Sequence, residues 1–303
     1  MTASPRPFLL GPNQYGKAEI RVLKTTRDGA THHVRDLNVS VALAGDMDAV
    51  HYDGSNAGVL PTDTAKNTVF AFARRHGIES PERFGIELAR HFTTTQDSLH
   101  RARIRIEEYA WERTGDTGHS FVRAGRETRL AQVTCEGGDV EVLSGLTGMT
   151  VMNTTDSEFT GYVKDAYTTL PEDRDRILAT AVTAWWRHRE TNGAAPGPGW
   201  DDSYMAARTH LLDAFAGTYS LSLQQTLYRM GAHVLELGDG IDEIRLSLPN
   251  KHHFRLDLTP FDLSNEAAEG AVYFAADRPY GLIEATVLRA GAAALIPADL
   301  ANL

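Results

Sequence analysis

Two blocks of strand-like alternation, each interrupted by a pair of helical segments, are what most constrain the fold of this 303-residue chain. In the first block, Glu19 to Lys24 alternates polar and apolar residues, and the β-rich stretch Val34 to Leu43 is placed to pair with it. Lys66 to Ala73 reads as an amphipathic helix capped by the preceding Thr62-Asp63. Ser80-Pro81 opens a second helix, with Phe84, Leu88 and Phe92 on one face. Ile104 and Ile106 then alternate with Arg103 and Arg105, and the β pattern continues through 128–134 and 140–152. The second block repeats the plan. A strand spans 177–186, a Gly/Pro-rich loop 192–199, and helices about 201–216 and 222–237. Strands return at 244–248, 254–258 and 271–275. The expected class is α+β, an antiparallel sheet with a helix pair on one face, used twice. The expected domains are residues 11–140 and 141–295.

Bulk properties narrow the function. A formal net charge of −10 disfavours nucleic acid and anionic membranes, so an anionic ligand would require a local cationic pocket. Cys135 is the only cysteine, which rules out an intramolecular disulfide and a multi-cysteine metal site. No run of about 18 apolar residues predicts a spanning helix. The opening residues 1–10 lack the pattern of a secretory leader, and the final Ala301-Asn302-Leu303 is not a peroxisomal Ser-Lys-Leu address. The expected location is cytoplasmic.

Four segments stand out, and each has an ordinary reading by itself. Asn13-Gln14-Tyr15-Gly16-Lys17 reads as a turn into a strand with a solvated lysine. The run from Pro61 to Thr68 reads as a helix start. The segment from Phe159 to Leu170, leading to Asp175-Arg176-Ile177-Leu178, reads as a polar connection with a buried aromatic and a paired arginine. Leu248 to Phe254 reads as a Pro-Asn β-turn beside histidines. The pairs His32-His33 and His252-His253 point to opposite faces if they lie on strands, so neither favours chelation of one metal ion.

Taken together, in this order and spacing, the four segments closely resemble the urate oxidase (uricase) family. Ser220 to Thr226 and Ala275 to Gly281 add to the likeness, which spans roughly residues 11 to 290. The resemblance implies the tunnelling fold, or T-fold, in tandem, assembled as a homotetramer whose sheets close into barrels with active sites at subunit interfaces. It implies oxidation of urate by dioxygen and water to 5-hydroxyisourate and hydrogen peroxide, without metal or other cofactor. By resemblance, Phe159 stacks on the purine, Arg176 and Gln224 grip opposite edges, and the amide near Leu223 completes that grip. Thr62 and Asp63 approach from a neighbouring subunit. Lys17 and Thr62 form a proton relay tuned by His252, and Asn250 with His252 holds dioxygen or water above the ring. The chain departs from the family at Lys164, where arginine is common, and at Ala181, where aspartate is common. Neither position is expected to touch substrate.

The chemistry suits these residue types. Arginine offers a rigid cationic fork, glutamine one donor and one acceptor group, and phenylalanine a flat apolar face. Triplet dioxygen reacts slowly with closed-shell molecules, so the protein's task is to deprotonate an electron-rich purine that then gives up an electron directly. Neither a dinucleotide fingerprint nor a facial triad signature is present to recruit flavin or metal instead. Two rival readings share the likeness: another pterin or purine enzyme of the same fold, and a purine-binding protein without turnover.

Overall fold

A computed structural model describes residues 7–125, 127–189, 192–194, 199–238, 240–266 and 270–302. The backbone divides into two compact units. The first holds β1 (Tyr15–Asp28), β2 (Thr31–Gly45), α1 (Asp48–Asp53), α2 (Thr62–Arg75), α3 (Pro81–Thr95) and β3 (Leu99–Tyr109). A short hairpin, β4 (Trp111–Arg113) with β5 (Phe121–Arg123), precedes β6 (Thr128–Glu136) and β7 (Asp139–Asn153). Its strands run in the order β1-β2-β3-β6-β7, and the registered pairs are antiparallel. The second unit holds the end of β7, then β8 (Leu178–His188), α4 (Trp200–Gly217), α5 (Leu223–Leu237), β9 (Ile241–Arg255) and β10 (Tyr273–Leu288), in the order β7-β8-β9-β10. The class is therefore α+β and mostly antiparallel. The β4–β5 hairpin and α1 had no clear counterpart in the sequence pattern. Residues 195–198 of the Gly/Pro-rich loop lie outside the described residues.

Each unit has its own core, built on period-two alternation. Along β3, Leu99, Ala102, Ile104 and Ile106 are buried against α3, whose Phe84, Leu88 and Phe92 face them as their spacing requires. In the second unit, Ile244, Leu246 and Leu248 of β9 pack with Leu227, Met230 and Val234 of α5. Ser80 caps α3 through its side chain, which accepts from the Arg83 amide at 3.1 Å, and Ser222 caps α5 in the same way.

Both helix–sheet contacts are closed by a glycine. A Cβ at Gly85 of α3 would lie 2.8 Å from Val133 Cγ2, and one at Gly231 of α5 would lie 2.6 Å from Val287 Cγ2. Each unit also buries an arginine–glutamate pair. Glu82 accepts from Arg129 Nη2 at 2.7 Å and from Ser144 Oγ at 2.7 Å. Glu243 accepts from Arg187 Nε at 3.0 Å and from the Leu295 and Ile296 amides. Burial pushes the Glu82 carboxyl up in pKa, and Arg129 and Ser144 oppose that shift.

Two expectations need correction. Thr62-Asp63 does not cap α2: Pro61 holds the cap position in an extended conformation, and Thr62 is the first helical residue. Asp63 is turned along the helix surface instead, where it accepts hydrogen bonds from Lys66 and, at 3.0 Å, from Asn67. Nor does a Pro-Asn turn separate strands at 244–248 and 254–258. The single strand β9 runs through Pro249 and ends at Arg255. Pro249 keeps its place in the ladder, registered with Leu282 on β10; the β10 register shift falls just beyond it, between Ala276 and Gly281, and β8 is registered on either side of it through Thr180↔Asn250 and Thr183↔Ser247.

The glycine contacts give a stability test. Gly231→Ala should lower the thermal unfolding midpoint, although alanine ordinarily favours a helix by about 1 kcal/mol, because overpacking costs about 1–3 kcal/mol. Adding Val287→Ala should recover part of the loss relative to the sum of the single changes. A Gly231→Ala midpoint above the parent's would refute this packing account.

Candidate functional site

The expected site residues fall into two groups, one in each unit. In the first unit, Lys17 lies on β1 and Thr62 and Asp63 open α2. The Tyr-Gly-Lys motif has a physical basis. The Tyr15 hydroxyl accepts from the Leu60 amide at 3.0 Å, which ties the start of β1 to the loop entering α2. A Cβ at Gly16 would sit 1.9 Å from the Val41 carbonyl oxygen, so only glycine lets β1 approach β2 this closely. Lys17 is registered with Val41, a buried residue of the core face. Directly after Lys17 the register shifts by a bulge, with Glu19 at φ 57° donating its amide to Ser40 Oγ. Bonding to Lys66 is the main reason the Asp63 carboxyl is held below its usual pKa, with smaller contributions that include the charge of Lys17. Lys17 and Asp63 are thus electrostatic neighbours.

In the second unit, two segments bracket Phe159 and Arg176. Phe159 and Asp173 exchange backbone hydrogen bonds, and the Arg176 amide donates to the Ser157 carbonyl at 2.9 Å. Ser157 is fully buried, and its hydroxyl accepts from Arg176 Nε at 3.2 Å. The Arg176 guanidinium carbon then stands 5.3 Å from the centre of the Phe159 ring. Burial lowers the Arg176 pKa and Asp173 opposes that, but a guanidinium keeps its charge throughout. Tyr162 stacks on Phe159 at 4.8 Å and 12°. Lys164, one of the two departures from the family pattern, forms an ion pair with Glu172 at 3.2 Å.

The same region reaches α5 through Ser220, which bridges to Ser157. Of the adjacent glutamines, Gln225 works structurally: its amide donates to Ser222 Oγ, and its side-chain oxygen accepts from the Leu221 amide at 2.8 Å. Gln224 is left exposed, and no hydrogen bond joins its side chain to another described residue. Leu223 is buried at the first helical position, where a helix leaves its amide without an internal partner. On β9, Asn250 and His252 share one face, two residues apart. The His252 ring stacks on Phe254 at 5.7 Å. Desolvation, then the charges of Arg176 and His253, hold His252 below the usual histidine pKa, which favours the neutral ring.

The structure therefore brings Phe159, Arg176 and His252 together in the second unit, and Lys17 with Asp63 in the first. Ser157 and Gln225, which hold these groups in place, were missed. The Ser222–Gln225 spacing was a readable capping signal, whereas nothing local marks Ser157. Among the described residues, no three His, Cys, Asp or Glu side chains converge on a common point, and no helix is long and apolar enough to cross a membrane.

Comparison with known proteins adds a separate line of information. The family profile described as uricase matches residues 13–134 and 142–284. The uricase of Arthrobacter globiformis is 47% identical over 293 residues, covering 97% of this chain and 94% of the relative. That of Aspergillus flavus is 35% identical over 288 residues, covering 91% of this chain and 95% of the relative. The crystal structure of the Arthrobacter globiformis uricase superposes with a TM-score of 0.90, covering 96% of this chain and 99% of that one.

The neighbourhood of His252 can be tested directly. Removing a nearby positive charge favours the protonated ring, so Arg176→Gln should raise the His252 titration midpoint. An NMR titration of the ring protons measures it, and an unchanged or lower midpoint would contradict the proximity of Arg176.

Proposed function

Because the chain belongs to the uricase family, we propose a specific division of labour among its residues for the family's reaction. The protein is an oxidoreductase that oxidises urate. Urate, dioxygen and water give 5-hydroxyisourate and hydrogen peroxide; two electrons leave the purine for dioxygen, and water supplies the new hydroxyl.

Phe159 provides the stacking face, and Arg176 meets a carbonyl and ring-nitrogen edge. The observation that carries this reading is the Arg176 guanidinium 5.3 Å from the Phe159 ring centre, with its Nε already fixed on Ser157. Gln224 reads the opposite edge with a side chain engaged by no other described residue, beside the Leu223 amide. Asn250 and His252 hold dioxygen, and then water, over the ring.

Lys17 and Thr62, with Asp63, belong to the side of the pocket that removes the proton. Lys17 takes the Thr62 hydroxyl proton, and Thr62 takes one from urate directly or through water. The proximity of Lys17 to Asp63, next in sequence to Thr62, supports this pairing. In this reading Thr62 and Asp63 reach the ligand from a neighbouring subunit of a homotetramer. The chain is a tandem T-fold, with domains at 11–140 and 141–295, whose sheets close into barrels on assembly. The reaction needs no cofactor and runs in the cytoplasm.

Two measurements test the assignment. Lys17→Met and Thr62→Ala should each lower kcat by roughly 10²–10⁴, with urate binding retained. Arg176→Gln should mainly weaken binding of urate and of non-oxidisable purine analogues. Parent-like turnover in both Lys17→Met and Thr62→Ala would refute the relay.

A further inference from the structure

The face of the first unit's sheet that points away from α3 carries a charge pattern that the urate reaction does not use. Arg101, Arg103 and Arg105 alternate along β3 with the buried Ala102, Ile104 and Ile106, so all three project from the opposite face. Same-face neighbours on a strand lie about 7 Å apart, close enough for three guanidinium groups to repel one another in a chain whose net charge is −10.

The ends of this row are balanced, and its centre is not. Arg101 pairs with Glu136 at 3.1 Å. Arg105 lines a hollow of about 220 Å³ together with Asn38, Ser40 and the carboxylates Glu19 and Glu107. Arg103 is half-buried, and no hydrogen bond or ion pair joins its side chain to another described residue. Its cross-strand neighbours explain why. Arg103 is registered with Ala42 on β2 and with Thr134 on β6, and Ala42 with Gly16 on β1. Across β1, β2, β3 and β6 the row thus reads Gly16, Ala42, Arg103, Thr134: small side chains around one long cation. Burial, then the charges of Arg101 and Arg105, lower the Arg103 pKa, and no acidic group offsets them.

A half-buried cation ordinarily has a counter-ion. We propose that Arg103, flanked by Arg101 and Arg105, forms a binding site for a small tetrahedral oxyanion such as inorganic phosphate. Several oxygens on a compact polyvalent anion suit a guanidinium fork flanked by two further cations on one strand face. A planar purine anion fits poorly, because the row has no aromatic side chain to stack it. None of the three arginines is among the residues assigned to the urate reaction.

The test uses the full chain. Phosphorus NMR line broadening measures phosphate binding directly, and thermal unfolding compares phosphate with sodium chloride at equal ionic strength. The parent should broaden the phosphate line, and phosphate should raise its unfolding midpoint above that in chloride. Arg103→Gln should weaken phosphate binding roughly tenfold or more and leave urate turnover unchanged. Thr134→Glu, which places a carboxylate beside Arg103, should abolish the response in the same way and serves if Arg103→Gln does not fold. Equal stabilisation by chloride, or parent-like phosphate binding in the folded variants, would overturn the assignment. Displacement of the bound phosphate by urate would place the signal in the purine pocket and would overturn it too.

Discussion

The close seating of a helix on each apolar sheet face is the constraint on which the rest depends. Gly85 and Gly231 leave room for a hydrogen and nothing larger, so α3 and α5 settle onto Val133 and Val287 at backbone distance. That contact commits one face of each sheet to packing. The groups proposed to act on urate are left to the strand ends, the helix starts and the opposite face. Lys17 at a bulge, Thr62 and Asp63 in the first turn of α2, and Gln224 in the first turn of α5 all occupy such places.

Holding and acting are divided between neighbouring residues. Ser157 and Gln225 bond back into the protein, whereas Arg176 beside the first and Gln224 beside the second keep polar atoms free of other described residues. A group fixed by a neighbour needs little reordering when a ligand arrives, which reduces the entropic cost of binding. In an acidic protein, Arg176 places a local positive charge beside Phe159, and that charge adds to desolvation in lowering the His252 pKa.

Much of the fold was legible because it is written in local periodicity. The Ile104–Ile106 alternation, the Ser80-Pro81 start and the Phe84–Leu88–Phe92 stripe all act within a few residues, and the structure places them as expected. Pro249-Asn250 was misread because its local turn preference is overridden by strands on either side, which lie far away in sequence. The Thr62 cap was misread because Asp63 found partners at Lys66 and Asn67 along the helix. The buried pairs Glu82–Arg129 and Glu243–Arg187 join residues 47 and 56 apart, so no short window contains both partners. The site was legible differently. Its residues were proposed by resemblance to a family, and the geometry shows how Gly16 and Ser157 place Lys17 and Arg176.

The proline within β9 has a consequence for how this protein tolerates change. Pro249 still pairs with Leu282 on β10, and beyond Asn250 the registered partners of the strand all lie on β10, whereas Ile244 to Ser247 are registered on both sides. Substitutions beyond Asn250 fall on a segment with one registered neighbour, so they disturb fewer cross-strand contacts than changes between Ile244 and Ser247. The strand is built as an anchored rod with an adjustable tip.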